Sequence, residues 1–225
     1  MKKVMAKGLA LAFLGSLFMA GNALALPVLT MSDGTTTITV ADNGVGDTAN
    51  SVDGVITYAG MFGGWNVVMS MGTSYPAIGS LGSPELHLSS SLTSVNAPGA
   101  YGGTFSFTFE DNFTAWADLG GLVTSIGGDA AGAVSLKTYL DGVEIASLGV
   151  FTGAFSDSVA NYGASPANDD LYNLKIAGVI THDSVGQASS FDASVAPVPE
   201  PATMLLFGSG LAGLAGYGRR KARKK

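Results

Sequence analysis

Histidine is the side chain that most often acts as general base or metal ligand near neutral pH. This chain has two, His87 and His182. Neither has the His-Glu-x-x-His spacing that turns two imidazoles toward one zinc ion from a helix face. Each reads as a strand residue satisfied by hydrogen bonds. The strained Gly-x-Ser-x-Gly turn that exposes a serine nucleophile does not occur in residues 26–196, and neither a phosphate-binding loop nor a dinucleotide fingerprint is present. With no cysteine in the chain, thiolate chemistry and disulfides are excluded.

Carboxylates remain. Two of them set at the right separation hydrolyse a glycosidic bond, and Glu85, Glu110 and Asp111 stand where strands begin or end, positions that read as solvated strand ends. The densest cluster is Asp42-Asn43-Gly44-Val45-Gly46-Asp47, followed by Asp53. Oxygen ligands on a glycine-rich turn suit calcium. The spacing lacks the alternating acids and closing glutamate of an EF-hand, however, and Asn and Asp also favour plain solvated turns. No catalytic residue and no metal ligand set is assigned from these patterns, and no cofactor is implied. Aromatic faces pack on sugar rings, so Trp65, Trp116, Tyr58, Tyr75 and Tyr101 form a possible stacking platform. Trp65 alternates with apolar neighbours and reads as core, whereas Trp116 lies outside any clean alternation and is the better candidate for exposure.

The formal net charge of −6 conceals an uneven distribution. Nine of the eleven basic residues lie in the first 25 or last 29 positions. Residues 26–196 hold only Lys137 and Lys175 against sixteen acids, a net charge of −14. Such a surface repels phosphate, so nucleic acid is not an expected partner. Divalent cations and neutral polymers are more natural ones.

The elements that must position these groups are strands. Thr104-Phe105-Ser106-Phe107-Thr108-Phe109 alternates rings with hydroxyls, the period of a half-buried strand. Residues 35–40 alternate around Ile38 and Val40. Trp65, Val67, Met69 and Met71 are expected to share a face, as are Val134, Leu136, Thr138 and Leu140. Asp141-Gly142 fits a tight hairpin turn into Val143-Glu144-Ile145. Residues 171–181 read as a longer strand, turning near Asp183 and Gly186 to return through residues 190–195. Leu86-His87-Leu88 starts an alternation that loses phase before Val95, which suggests a bulge. Residues 42–54 and 153–170 read as the long loops. With no sustained helical period, about 170 residues of this kind predict an all-β fold: about ten antiparallel strands in a jelly-roll-like β-sandwich over residues 26–196, flanked by two helical targeting segments.

Those flanking segments are distinctive. Lys2, Lys3 and Lys7 precede an apolar run over residues 8–21, and Ala23-Leu24-Ala25 fits small-x-small cleavage, so residues 1–25 read as a signal peptide and Leu26 as the first mature residue. At the other end, a proline-rich linker from Ala196 to Pro199 leads into an uncharged stem from Met204 to Gly218. That stem covers roughly 22 Å as a helix, short against the roughly 30 Å hydrocarbon core of a bilayer. Arg219, Arg220, Lys221, Arg223, Lys224 and Lys225 then hold the end in the cytoplasm.

Val198-Pro199-Glu200-Pro201-Ala202-Thr203, the apolar stem from Leu205 to Leu214 and the Arg219-Arg220 end, in that order and spacing, resemble the PEP-CTERM sorting signal of Gram-negative bacteria. The resemblance covers about the last 30 residues. It implies recognition of Pro199, Glu200 and Pro201 by the membrane transpeptidase-like enzyme exosortase, and removal of the stem and basic end. It also implies export through the Sec translocon, transient residence in the inner membrane, and a final place at the cell surface or in an exopolysaccharide matrix. The stretch from Asp42 to Tyr58 is similar to segments of other β-rich domains that bear this tail, which brings no catalytic residue with it. The expectation is a non-enzymatic surface or matrix protein. A carbohydrate-binding module, with or without calcium assistance, and a secreted carboxylate-pair hydrolase are the alternatives.

Overall fold

The computed structural model describes residues 26–95, 103–117, 119–167, 170–198, 207 and 209–211, with Met69 by its backbone alone. β1 (Val28–Ser32) turns back into β2 (Thr37–Ala41). Asp33 makes that turn, its Oδ1 accepting from the amides of Thr35 and Thr36 at 2.9 and 2.7 Å, a side chain substituting for a backbone acceptor. The 42–54 loop leads to β3 (Val55–Phe62) and β4 (Trp65–Thr73), followed by β5 (Leu86–Ser94) and β6 (Gly103–Phe113). Two 19-residue strands, β7 (Leu122–Leu140) and β8 (Val143–Asn161), form the longest hairpin. β9 (Tyr172–His182) and β10 (Ala188–Pro197) close the series. Between β7 and β8, Asp141 and Gly142 both take positive φ, 49° and 76°. That is the two-residue turn whose twist matches the strands and which favours Asp-Gly.

The ten strands among the described residues follow one antiparallel path, β2-β1-β6-β9-β7-β10-β5-β4-β3, with β8 added on β7. β7 belongs to two layers. Its residues 133–140 pair with β9, while residues 122–130 pair with β10. The path folds over between them, where the β7–β8 register shifts. A Cβ on Gly132 would run into the carbonyl of Thr181, so this crossing needs glycine.

The core lies between the layers. Phe105, Phe107, Phe109 and Phe113 all point inward from β6. Phe107 stacks on Phe191 of β10 at 4.8 Å, and Trp65 of β4 meets Phe105 at 5.5 Å. Each large side chain removed from water this way contributes about 1.5–3 kcal/mol. The alternation read in the sequence is therefore the alternation of a sandwich, and the strand count matches.

Several local expectations need correction. Trp65 and Val67 do share the inner face, but a bulge between Val67 and Met69 reverses the phase of β4, so Ser70 and Gly72 point inward and Met71 does not. β5 keeps its phase throughout. The apparent loss is a composition effect: Ser90 and Ser94 occupy interior positions, with Ser90 bonded to Ser70 at 2.8 Å. The 153–170 segment is not one long loop, because β8 runs on to Asn161. It is an edge strand, largely exposed, in which Phe155 packs on the core but Gly153 and Asp157 on either side of it break the apolar period. The linker also starts later than expected: Ala196 and Pro197 pair with Val123 and Leu122, and the Val198 amide donates to Gly121 at 3.0 Å.

Candidate functional site

The 42–54 loop is held by its own carboxylates. Asp47 accepts from the amides of Asn43, Ala49 and Thr57 at 3.0, 2.8 and 2.9 Å, which uses both oxygens. Asn43 bridges the loop, its amide group donating to Asp53 at 2.9 Å while its oxygen accepts from the Ser51 amide at 2.7 Å. Asp42 Oδ2 accepts from the Gly54 amide at 2.9 Å. The loop is thus tied together by its own hydrogen bonds, and among the described residues no three acidic or imidazole side chains converge as a metal site.

Asp42 is nevertheless unfinished. The residue is 2% exposed, and its Oδ1 is buried without a hydrogen-bond partner. It lines a cavity of about 170 Å³ with Leu26, Pro27, Asp53, Tyr75, Pro76, Asp111 and Asn112. Asp111, expected at a solvated strand end, is 3% exposed. It continues the inward phase of the β6 phenylalanines, which is the signal that could have placed it. Burial pushes its carboxyl up to about 6, against the lowering effect of hydrogen bonds from Ser74 and the Asn112 amide, and the nearby Asp42 adds to the rise. Its neighbour Glu110 faces outward and pairs with Lys175 at 2.7 Å. Glu85 is half-buried just before β5.

The second feature is an open face on the layer of β8, β7, β10, β5 and β4. Ser158, Ser125, Ser194, His87 and Thr73 form one row across these five strands. Ser156, Gly127, Asp192, Ser89 and Met71 form the next. Ser125 and Ser194 share a hydrogen bond of 2.8 Å, and His87 Nε2 pairs with Asp192. The missing side chain at Gly127 opens a polar groove of about 590 Å³ between the rows.

Among the described residues, the aromatic side chains expected to form a platform do not come together as one. Trp65 is buried against Phe105 and His182. Trp116 is half-buried rather than free, edge-on to Tyr172 at 5.2 Å. Tyr58 and Tyr75 pack on the core as well. Tyr101 lies outside the described residues, as do Ala23, Ala25, Pro199, Glu200, Pro201, Arg219, Arg220 and Lys221. His182 is interior, its Nε2 2.8 Å from Ser189 Oγ, and burial lowers its pKa.

Comparison with known families adds the decisive observation: residues 197–222 match the PEP-CTERM protein-sorting motif. The chain carries a PEP-CTERM sorting signal. The motif begins at Pro197, the last paired residue of β10, so the sorting segment follows the sandwich directly. It implies an exported protein processed by exosortase. None of the curated proteins matches the chain. Among solved structures, β-glucosidase from Kluyveromyces marxianus in complex with glucose aligns at 10% identity and TM-score 0.36, over 83% of this chain and 17% of that one. TmCBM61 in complex with β-1,4-galactotriose aligns at 11% identity and TM-score 0.31, over 62% and 92%. The chain thus spans less than a fifth of the glucosidase. No helix among the described residues is long and apolar enough to cross a membrane. In the tail, Phe207 and residues 209–211 are helical.

Proposed function

We propose that the chain is a non-enzymatic surface or extracellular-matrix protein of a Gram-negative bacterium. A signal peptide and the Sec translocon export it, its tail holds the precursor briefly in the inner membrane, and exosortase then releases it into an exopolysaccharide layer. The sorting motif at residues 197–222 is the observation that carries this reading. The open face supports it: rows of serine hydroxyls with Asp192 and His87 offer donors and acceptors to a hydroxylated polymer, without the ring stacking that fixes a single sugar. Asp42 and Asp111 are buried, so they are not the carboxylates that a polymer chain on the open face would meet.

The test is fractionation of producing cells with and without exosortase, reading location and mass. The expected result is full-length protein held in the membrane fraction without the enzyme, and a shorter protein outside the cell with it. Identical mass and location in both strains would overturn the sorting reading. Calorimetry of the released protein against the strain's own exopolysaccharide tests the polymer: saturable heat is expected, and a flat trace from folded protein would point to another partner.

A further inference from the structure

The acidic cavity suits a cation, and the mature N-terminus is placed to supply one. Asp42 Oδ1 is buried with no partner, in a cavity shared with Asp53 and Asp111. An isolated buried carboxylate oxygen is costly, so such a site favours a positive hydrogen-bond donor. Among the described residues no lysine or arginine side chain answers to that description. Residues 26–196 hold only Lys137 and Lys175, which pair with Glu144 at 2.8 Å and Glu110 at 2.7 Å. A calcium ion needs six to eight oxygens, and no three acidic or imidazole side chains converge among the described residues. An ammonium needs only a few acceptors.

The remaining cation is the chain's own mature end. Val28 pairs with Ala41 on one side and Glu110 on the other. One step outward, Pro27 therefore stands between Asp42 and Asp111, and its carbonyl accepts from the Asp42 amide at 3.0 Å. Leu26 is the next residue, one peptide unit or about 3.8 Å of chain away, and it lines the same cavity. Hydrolysis of the Ala25–Leu26 peptide bond by signal peptidase consumes one water. It leaves a carboxylate on Ala25 and an amine on Leu26, which at neutral pH is mostly protonated.

We propose that the cavity is the binding site for the α-ammonium of Leu26: cleavage after Ala25 creates the group that neutralises Asp42 and Asp111 and ties the 42–54 loop to β1. The domain is thereby completed only after export. This rests on the reading of residues 1–25 as a cleaved signal peptide, independently of what the open face binds. While Leu26 is still joined to Ala25 it has no ammonium to offer, in keeping with the raised Asp111 carboxyl.

The experiment compares the exported chain with a leaderless chain made in the cytoplasm, which keeps an initiator methionine before Leu26 and so displaces the ammonium by one residue. Both carry the full tail and are handled in the same detergent. N-terminal sequencing of the exported chain must begin at Leu26; another start overturns the proposal at its premise. The exported chain is expected to melt about 5 °C higher, and the gap is expected to vanish when both carry Asp42→Asn, whose side-chain oxygen can still accept from Gly54. A gap that persists in Asp42→Asn, or no gap at all, overturns the proposal. Should the variant fail to fold, titration of the ¹⁵N-labelled Leu26 amine in the unaltered exported chain decides. A pKa raised above the ordinary range of about 7.7–8.0 supports the pairing, and an ordinary value defeats it. Saturable stabilisation of the exported chain by calcium chloride, lost in Asp42→Asn, would show that a metal takes the site instead.

Discussion

Ser74 donates a 2.6 Å hydrogen bond to Asp111, and both side chains are buried. The bond joins the segment after β4 to the end of β6, across the two layers. The bond favours the ionised carboxyl, yet burial outweighs it and raises the Asp111 pKa to about 6.

This has a pH consequence. In the chain with Leu26 still blocked, the Asp111 pKa is raised from 3.8 to about 6. Between those values the folded state binds more protons than the unfolded state, so stability falls as pH rises through the window. The full effect is of the order of 3 kcal/mol. Asp111→Asn in the leaderless chain is expected to remove the fall from about pH 4 to 6, read by thermal melts across that range. A wild-type curve that is flat or rising there contradicts this account.

His182 acts in the opposite sense. Burial depresses its pKa below 6.5, with Asp183 opposing more weakly. Its contribution is complete above 6.5 and is lost as pH falls below that value, because the unfolded state then binds the extra proton. His182→Gln is expected to lessen the loss of stability on acidification just below pH 6.5. Chemical denaturation at pH 7.5 and 5.5 measures it, and an unchanged difference between the two would count against a buried neutral imidazole.

The Ser70–Ser90 pair is a buried polar unit inside the sandwich. Ser70→Ala alone leaves the Ser90 hydroxyl without its partner and is expected to cost about 1–3 kcal/mol. The double change to alanine removes both polar groups and is expected to cost less than the two single changes added together. A double-mutant cycle in urea reads the difference, and strict additivity would refute a coupled pair.

Gly178 of β9 lies under the Phe107 ring, where a Cβ would overlap the ring atoms. Gly178→Ala is expected to cost about 1–3 kcal/mol by overpacking. Phe107→Leu in the same chain should recover part of that loss. No recovery would place the strain elsewhere.

The end of the sandwich is also testable. A stop after Val198 keeps the Pro197 pairing and the Val198–Gly121 bond. It is expected to leave the melting temperature unchanged while abolishing exosortase processing. A stop after Ala196 removes both contacts and is expected to melt lower. Equal melting of the two would mean that β10 ends earlier in effect.

Much of this architecture was legible beforehand. Phe105, Phe107 and Phe109 announce a half-buried strand because the side-chain period of a strand is two. Asp141-Gly142 announces its hairpin because only certain residues accept positive φ at both positions. The second half of β8 was not legible, since a largely exposed edge strand carries little apolar rhythm. The bulge in β4 was hidden too, because one extra residue exchanges the faces without changing composition.

The sequence by itself determined the sorting signal and the class of fold. A sorting signal is read as a local, linear order of spacer, stem and basic end, and strand alternation is local as well. Only the tertiary structure decided the fate of the acids. Asp47 and Asp53 serve their own loop, but Asp42 and Asp111 are brought to either side of Pro27 by the register of β2, β1 and β6. Register is a property of paired strands, and it turned two ordinary loop and strand-end carboxylates into one buried site waiting for a positive charge.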